Sequence, residues 1–186
     1  MTPVPRFIPT LPSDRKHLPL LLALVVLFAV LVSVFYVSNT AIKVDGDSML
    51  PSLMSGDHLL VTRGYTQPAR GDVVSFSAVI SGKPDDLIKR VVAIGGDTVE
   101  VFGDTVLING QPEPTTYQRI TGTESFHIKP FSVPAGSVYV LGDNRPVSLD
   151  SRFFGPVRLA DVKGRARFIF SPITRFRRID AAAGRP

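Results

Sequence analysis

Ser48 stands in the stretch from Asp45 to Asp57, DGDSMLPSLMSGD, with no histidine close by in sequence to act as its base. A serine so placed is either a turn or cap residue or a nucleophile whose base comes from elsewhere in the fold. A lysine can be that base if burial disfavours its ammonium form. In DLIKRVVAI (86–94), strand alternation puts Leu87, Lys89 and Val91 on one face and Ile88, Arg90 and Val92 on the other. If the first face lies in the core, desolvation lowers the Lys89 pKa by up to ~3–5 units and yields a neutral general base near pH 7. The same spacing suits a lysine that snorkels at a strand end, so alternation alone leaves both readings open. A third cluster, YVLGDNRPVSLDSRFFGPV (139–157), sets Asp143, Asn144, Arg145, Ser148, Asp150, Ser151 and Arg152 behind a hydrophobic strand. By itself it reads as a polar turn held by an Asp–Arg ion pair as readily as a functional loop.

The elements that must position these residues are short strands. HLLVTR (58–63), DVVSFSAV (72–79), DLIKRVVAI (86–94), DTVEVF (97–102), TVLING (105–110) and SVYVLG (137–142) are rich in β-branched and aromatic residues. Val99 and Val101 alternate with polar residues before Gly103-Asp104 turns the chain into Val106 and Ile108, which predicts a hairpin. The stretch 111–125 is polar and carries prolines, so it reads as a loop or small flap. No convincing amphipathic helix appears, and 15 glycines with 16 prolines favour a turn-rich all-β domain.

Ahead of these strands lies LPLLLALVVLFAVLVSVFYV (18–37), uncharged throughout. At 1.5 Å per residue it spans about 30 Å, the thickness of a bilayer core. It is longer than the apolar region of a cleavable signal peptide, and SNTA after it is a weak cleavage site. The reading is an uncleaved transmembrane anchor. DRKH before it, against SNTAIK after it, places the N-terminus in the cytoplasm by the positive-inside tendency.

Charge points the same way. Of a net +5, residues 163–186 hold seven Lys/Arg against Asp180 alone, whereas the body (18–162) has 11 basic and 14 acidic residues. A nucleic-acid binder concentrates positive charge on its folded domain, so no nucleic-acid partner is expected. Basic ends on a mildly acidic body suit a neighbour of the lipid bilayer. With no cysteine in 186 residues, disulfides and thiolate metal sites are excluded; no metal or cofactor is expected.

Taken together, GDSMLPSL (46–53), SGDHLLVTR (55–63), RGDVVSF (70–76), IKRVVAIGGD (88–97) and GDNRPVSLDSRFFGPV (142–157) resemble the bacterial type I signal peptidases, membrane-bound Ser-Lys endopeptidases. The blocks occur in that family's order behind an anchor. The resemblance implies a mostly β fold, a coiled antiparallel sheet behind one N-terminal transmembrane helix. It makes Ser48 the nucleophile and Lys89 its general base. Ser148 matches a serine that orients the lysine amine, Asp150 and Arg152 a supporting ion pair, and Asp143 a further structural carboxylate. Some members carry a serine two positions before the nucleophile as an oxyanion donor; this chain has Gly46, as others do, which leaves the second donor unassigned. Met49 either walls the pocket for the residue before the cut or packs in the core.

The implied substrates are secretory precursors with small residues at −1 and −3, cut on the outer face of the cell membrane. The 44 residues between Asp97 and Gly142 leave little room for the large second domain of some members. The expected division is a basic cytoplasmic N-terminus (1–17), the anchor (18–40), the catalytic β domain (41–172) and a basic tail (173–186). RARFIFSPITRFRRID reads as a final strand with a solvated or lipid-contacting tail. His58 and His127 sit in no matching motif. Two alternatives stay open: a specialised pilin- or conjugation-type processing peptidase, and a non-catalytic membrane-anchored β binding module.

Overall fold

The uncharged run folds as one helix, α1 (Leu18–Ser38), none of whose residues is buried. Pro19 sits in its first turn, where a missing N–H costs least. The hydroxyl of Ser33 donates to the carbonyl of Ala29 at 2.8 Å, so its polar group is satisfied within the helix. Among the described residues α1 is the one helix long and apolar enough to cross a membrane. The structure, a computed structural model, describes residues 17–80, 82–114, 119–122 and 126–179.

From Ser38 onward the chain forms a separate unit built of strands. These are β1 (Asn39–Lys43), β2 (His58–Arg63), β3 (Val73–Ile80), β4 (Lys83–Ile94), β5 (Thr98–Phe102), β6 (Thr105–Ile108), β7 (Gln111–Pro112), β8 (His127–Ser132), β9 (Ser137–Leu141), β10 (Val157–Arg158), β11 (Val162–Ser171) and β12 (Arg177–Arg178). One short helix, α2 (Ser151–Phe154), is capped by the Asp150 side chain. An eight-stranded sheet runs β1-β2-β11-β3-β4-β9-β10 with β12 added to β11; a four-stranded sheet runs β7-β6-β5-β8. Every strand pairing is antiparallel. The fold class read from the sequence is the one observed.

All six expected strands form, and the hairpin turns at Gly103-Asp104 with Phe102 opposite Thr105. β8 carries Pro130 and lies at the edge of the smaller sheet, where a missing N–H breaks no ladder. Its alternation is interrupted by that proline, and so it left no strand signal. The stretch 173–179 of the expected tail is tied to the larger sheet. β12 pairs with Phe168 and Ile169, and Ile179 is buried beside Val44, Met49 and Leu53. Residues 180–186 of the expected tail lie outside the described ones, as do 1–16.

Among the described residues three apolar clusters fill the body. Val44, Met49, Leu53, Leu59, Val61 and Ile169 centre the first. Val92, Val99, Val101, Ile108, Tyr139 and Leu141 join the two sheets in the second. The third gathers Val74, Phe76, Val91, Val138 and Val140, with Leu87 packed against it. β3 and β4 separate the first cluster from the third by alternation: Val73 faces one and Val74 the other.

Candidate active site

The serine segment is a closed loop. The amide of Val44 donates to the carbonyl of Asp57 at 2.8 Å, and the amide of Gly56 returns to Val44 O at 2.9 Å. Met49 and Leu53, 1% and 0% exposed, plug the loop into the first cluster. Asp57 ties its far end, accepting from the Met54 amide at 2.9 Å and from both nitrogens of the Arg175 fork at 2.8 and 2.9 Å. Burial raises the Asp57 carboxyl, but those Arg175 and amide bonds outweigh it and hold it below the usual range. Gly46, with φ +84, takes the left-handed turn that leads into Ser48.

Lys89 comes to this loop from β4. Its flanking residues Leu87 and Val91 and its cross-strand partner Val74 all belong to the third apolar cluster, so the face is a core face. Lys89 is 3% exposed. Its Nζ donates to Ser48 Oγ at 2.8 Å and to the carbonyl of Ile88 at 3.1 Å. Desolvation by burial dominates, and it pushes the ammonium down from 10.5 to about 8 against the opposing pull of Asp150, Asp85 and Asp143.

Two of those carboxylates are held by guanidinium forks. Arg152 Nε and the second fork nitrogen reach Asp150 at 2.8 and 2.9 Å; Asp150 also accepts from the Gly142 amide at 3.0 Å. Arg90 grips Asp143 at 2.8 and 2.6 Å. Both pairs are buried. Each guanidinium offsets a negative charge that would otherwise favour Lys89 as ammonium.

The cluster after β9 also touches the Ser48 loop directly. The Asn144 amide donates to the Ser48 carbonyl, and Asn144 Nδ2 to the Asp47 carbonyl, both at 3.0 Å. Sequence reasoning quoted Asn144 and Arg90 without a role for either; the signal available was the Lys-Arg dipeptide, which places Arg90 on the face opposite Lys89. Ser148 is brought close as well, but its buried Oγ has no hydrogen-bond partner among the described residues. The bond from Ser148 to the lysine amine that the resemblance implies is therefore absent from this arrangement, in which Ile88 O occupies that role.

Two clefts open beside Ser48 and Lys89. One, of about 290 Å³, is walled by Ile42, Val44, Met49, Ser75 and Ile88; the other, of about 540 Å³, by Gly46, Asp47, Leu50, Asn144 and Leu149. Ser48 and Lys89 line both. Met49 thus packs in the core and also edges the smaller cleft. His58 and His127 line neither. Among the described residues no group of three or more His, Cys, Asp or Glu is placed to hold a metal ion.

A serine held against a buried, partly neutral lysine is an arrangement for nucleophilic catalysis. Residues 15–171 match the family model for signal peptidase, peptidase S26. The chain belongs to the signal peptidase family. A signal peptidase I of Leptolyngbya laminosa is 39% identical over 141 residues, covering 71% of this chain and 68% of that protein. Signal peptidase IB of Staphylococcus aureus is 34% identical over 184 residues, covering 88% and 94%. A solved signal peptidase I from Enterococcus faecalis shares 32% identity over 53% of this chain and 96% of its own, with a TM-score of 0.41. As a signal peptidase the chain is an enzyme, a serine peptidase, and α1 accords with membrane anchorage.

One glycine of the site has no room for any other residue. A Cβ on Gly142 would overlap Ser148 Oγ and lie 2.5 Å from the Ser48 carbonyl oxygen, a backbone atom that cannot rotate away. Gly142→Ala is expected to lower peptidase kcat/KM by roughly 10²-fold through displacement of Ser48. Wild-type kinetics in this variant would contradict the packing described.

Proposed function

We propose that this signal peptidase removes signal peptides from secretory precursors by a Ser48–Lys89 dyad. The observation that carries the reading is the 2.8 Å contact between Lys89 Nζ and Ser48 Oγ on a buried strand face. In the neutral amine the contact reverses: the Ser48 hydroxyl donates to the Nζ lone pair, which Ile88 O helps to aim. Ser48 Oγ attacks the scissile carbonyl as its proton passes to Lys89. The resulting ammonium protonates the departing amine, leaving an acyl-enzyme on Ser48. A water that gives its proton to Lys89 then hydrolyses the ester. The Ser48 amide holds the developing oxyanion, an interaction worth ~3–4 kcal/mol per donor. The ion pairs Asp150–Arg152 and Asp143–Arg90 support the site without reacting, and Ser148 packs beneath it.

The smaller cleft, apolar through Ile42, Val44, Met49 and Ile88, receives the −1 side chain, and the preference for small residues there and at −3 is the one the family resemblance implies. An extended substrate segment aligned beside a strand suits such a surface. The basic flank before α1 keeps the N-terminus cytoplasmic and sets the β unit on the outer face of the cell membrane.

The test is cleavage in detergent of a precursor carrying an Ala-x-Ala site. Cleavage after the second alanine is expected, falling roughly 10²-fold when that alanine becomes leucine. Equal cleavage of both precursors would sink the assignment of the −1 pocket.

A further inference from the structure

Ser48 is flanked by two peptide groups, and both of their carbonyls are held by one residue. Asn144 donates from Nδ2 to Asp47 O and from its own amide to Ser48 O, each at 3.0 Å. Neither of these peptides is among the cis bonds of the chain. In a trans peptide the N–H points opposite to the C=O. The Asn144 clamp therefore fixes the directions of the Ser48 and Met49 amides, the first of which is the proposed oxyanion donor.

What fixes Asn144 is a second set of contacts, made by a stretch that the sequence presents only as polar and proline-rich. Ile120 forms a parallel bridge with Asn144: its amide donates to Asp143 O at 2.8 Å, and the Arg145 amide donates to Ile120 O at 2.9 Å. Arg145 spans the turn, with Nε donating to Gly142 O at 2.8 Å and Nη2 donating to both oxygens of Glu113 at 2.7 and 2.8 Å. Both side chains of this pair are 2% exposed. Glu113 follows β7 directly, and its amide is tied to Val106 O of β6 at 2.8 Å. A line of bonds thus runs from the smaller sheet through Glu113, Arg145 and Asn144 to the nucleophile.

We propose that Glu113 is a positioning residue for the peptidase reaction, which sets the Ser48 amide through Arg145 and the Asn144 clamp. This rests on Ser48 being the nucleophile. Glu113 touches neither substrate nor Ser48 Oγ in this scheme. A buried ion pair is a weak stabiliser against an apolar alternative, so its geometric consequence is the informative one.

The experiment compares Glu113→Gln, Glu113→Ala, Asn144→Ala and the Glu113→Ala/Asn144→Ala double variant, with Ser48→Ala alongside, on the Ala-x-Ala precursor. Glu113→Gln keeps the side-chain volume and one acceptor, so it decides the matter should Glu113→Ala fail to fold. The expected result is a kcat for Glu113→Gln down roughly tenfold, with KM within about twofold, and a larger loss for Asn144→Ala. Because the two residues act in series, the double variant should be no slower than Asn144→Ala alone. A kcat for Glu113→Gln within about twofold of wild type, a change confined to KM, or fully multiplicative losses in the double variant would each overturn the inference. Should Ser48→Ala cleave normally, the nucleophile assignment itself fails. Should Ser48→Ala be inactive while the Glu113 variants are unimpaired, only the role of Glu113 fails.

Discussion

Ser48→Ala and Lys89→Met are each expected to lower kcat/KM for precursor cleavage by on the order of 10⁴-fold or more, and the double variant by no more than either alone. In the proposed mechanism the two groups act as a unit across their 2.8 Å contact, so losing one leaves the other with nothing to do. Stability should move differently. With the Lys89 pKa at about 8 in the fold and 10.5 when unfolded, the folded state binds fewer protons between those values. Stability from this group therefore rises with pH through that window, and below pH 8 the full penalty of roughly 3 kcal/mol is present. Lys89→Met removes that penalty along with two hydrogen bonds. It should be inactive yet at least as resistant to urea at neutral pH as the wild type. A Lys89→Met protein that cleaves at the wild-type rate would remove lysine from the mechanism.

The second large effect is expected at Asp143. Asp143→Ala deprives the buried Arg90 guanidinium of its bidentate carboxylate, and breaking a buried pair from one side costs about 3–5 kcal/mol. It also removes one of the charges that favours the Lys89 ammonium while leaving Arg90 positive. The midpoint of the pH–rate profile should then move to lower pH in whatever folded enzyme remains. Urea denaturation and the pH dependence of kcat/KM separate the two consequences. An unchanged urea midpoint would show that Arg90 does not depend on Asp143.

The strand pattern and the face on which Lys89 stands were legible because both follow from a period of two. Leu87, Lys89 and Val91 could be placed on one face from DLIKRVVAI alone, and that face is a core face. The reach of Lys89 to Ser48 could not be read this way, since it depends on how β4 and the loop closed by Val44 and Asp57 are brought together; the family resemblance supplied the pairing. The Asp150–Arg152 pair, two residues apart, was visible locally. Arg90–Asp143 and Arg145–Glu113 join positions 53 and 32 residues apart, and nothing local marks them. β8 was hidden by Pro130, and the fixed part of 173–179 by its run of arginines. Arg175 is in fact spent on Asp57, and β12 on the edge of β11.

The most direct test of the dyad is kcat/KM for the Ala-x-Ala precursor followed from about pH 6 to pH 10, because this quantity reports the essential base of the free enzyme. The account predicts a rise of about tenfold per pH unit that levels off near pH 8, where the buried Lys89 amine becomes neutral. A profile flat across that range, or one still climbing at about pH 10 as for a solvated lysine, would contradict it.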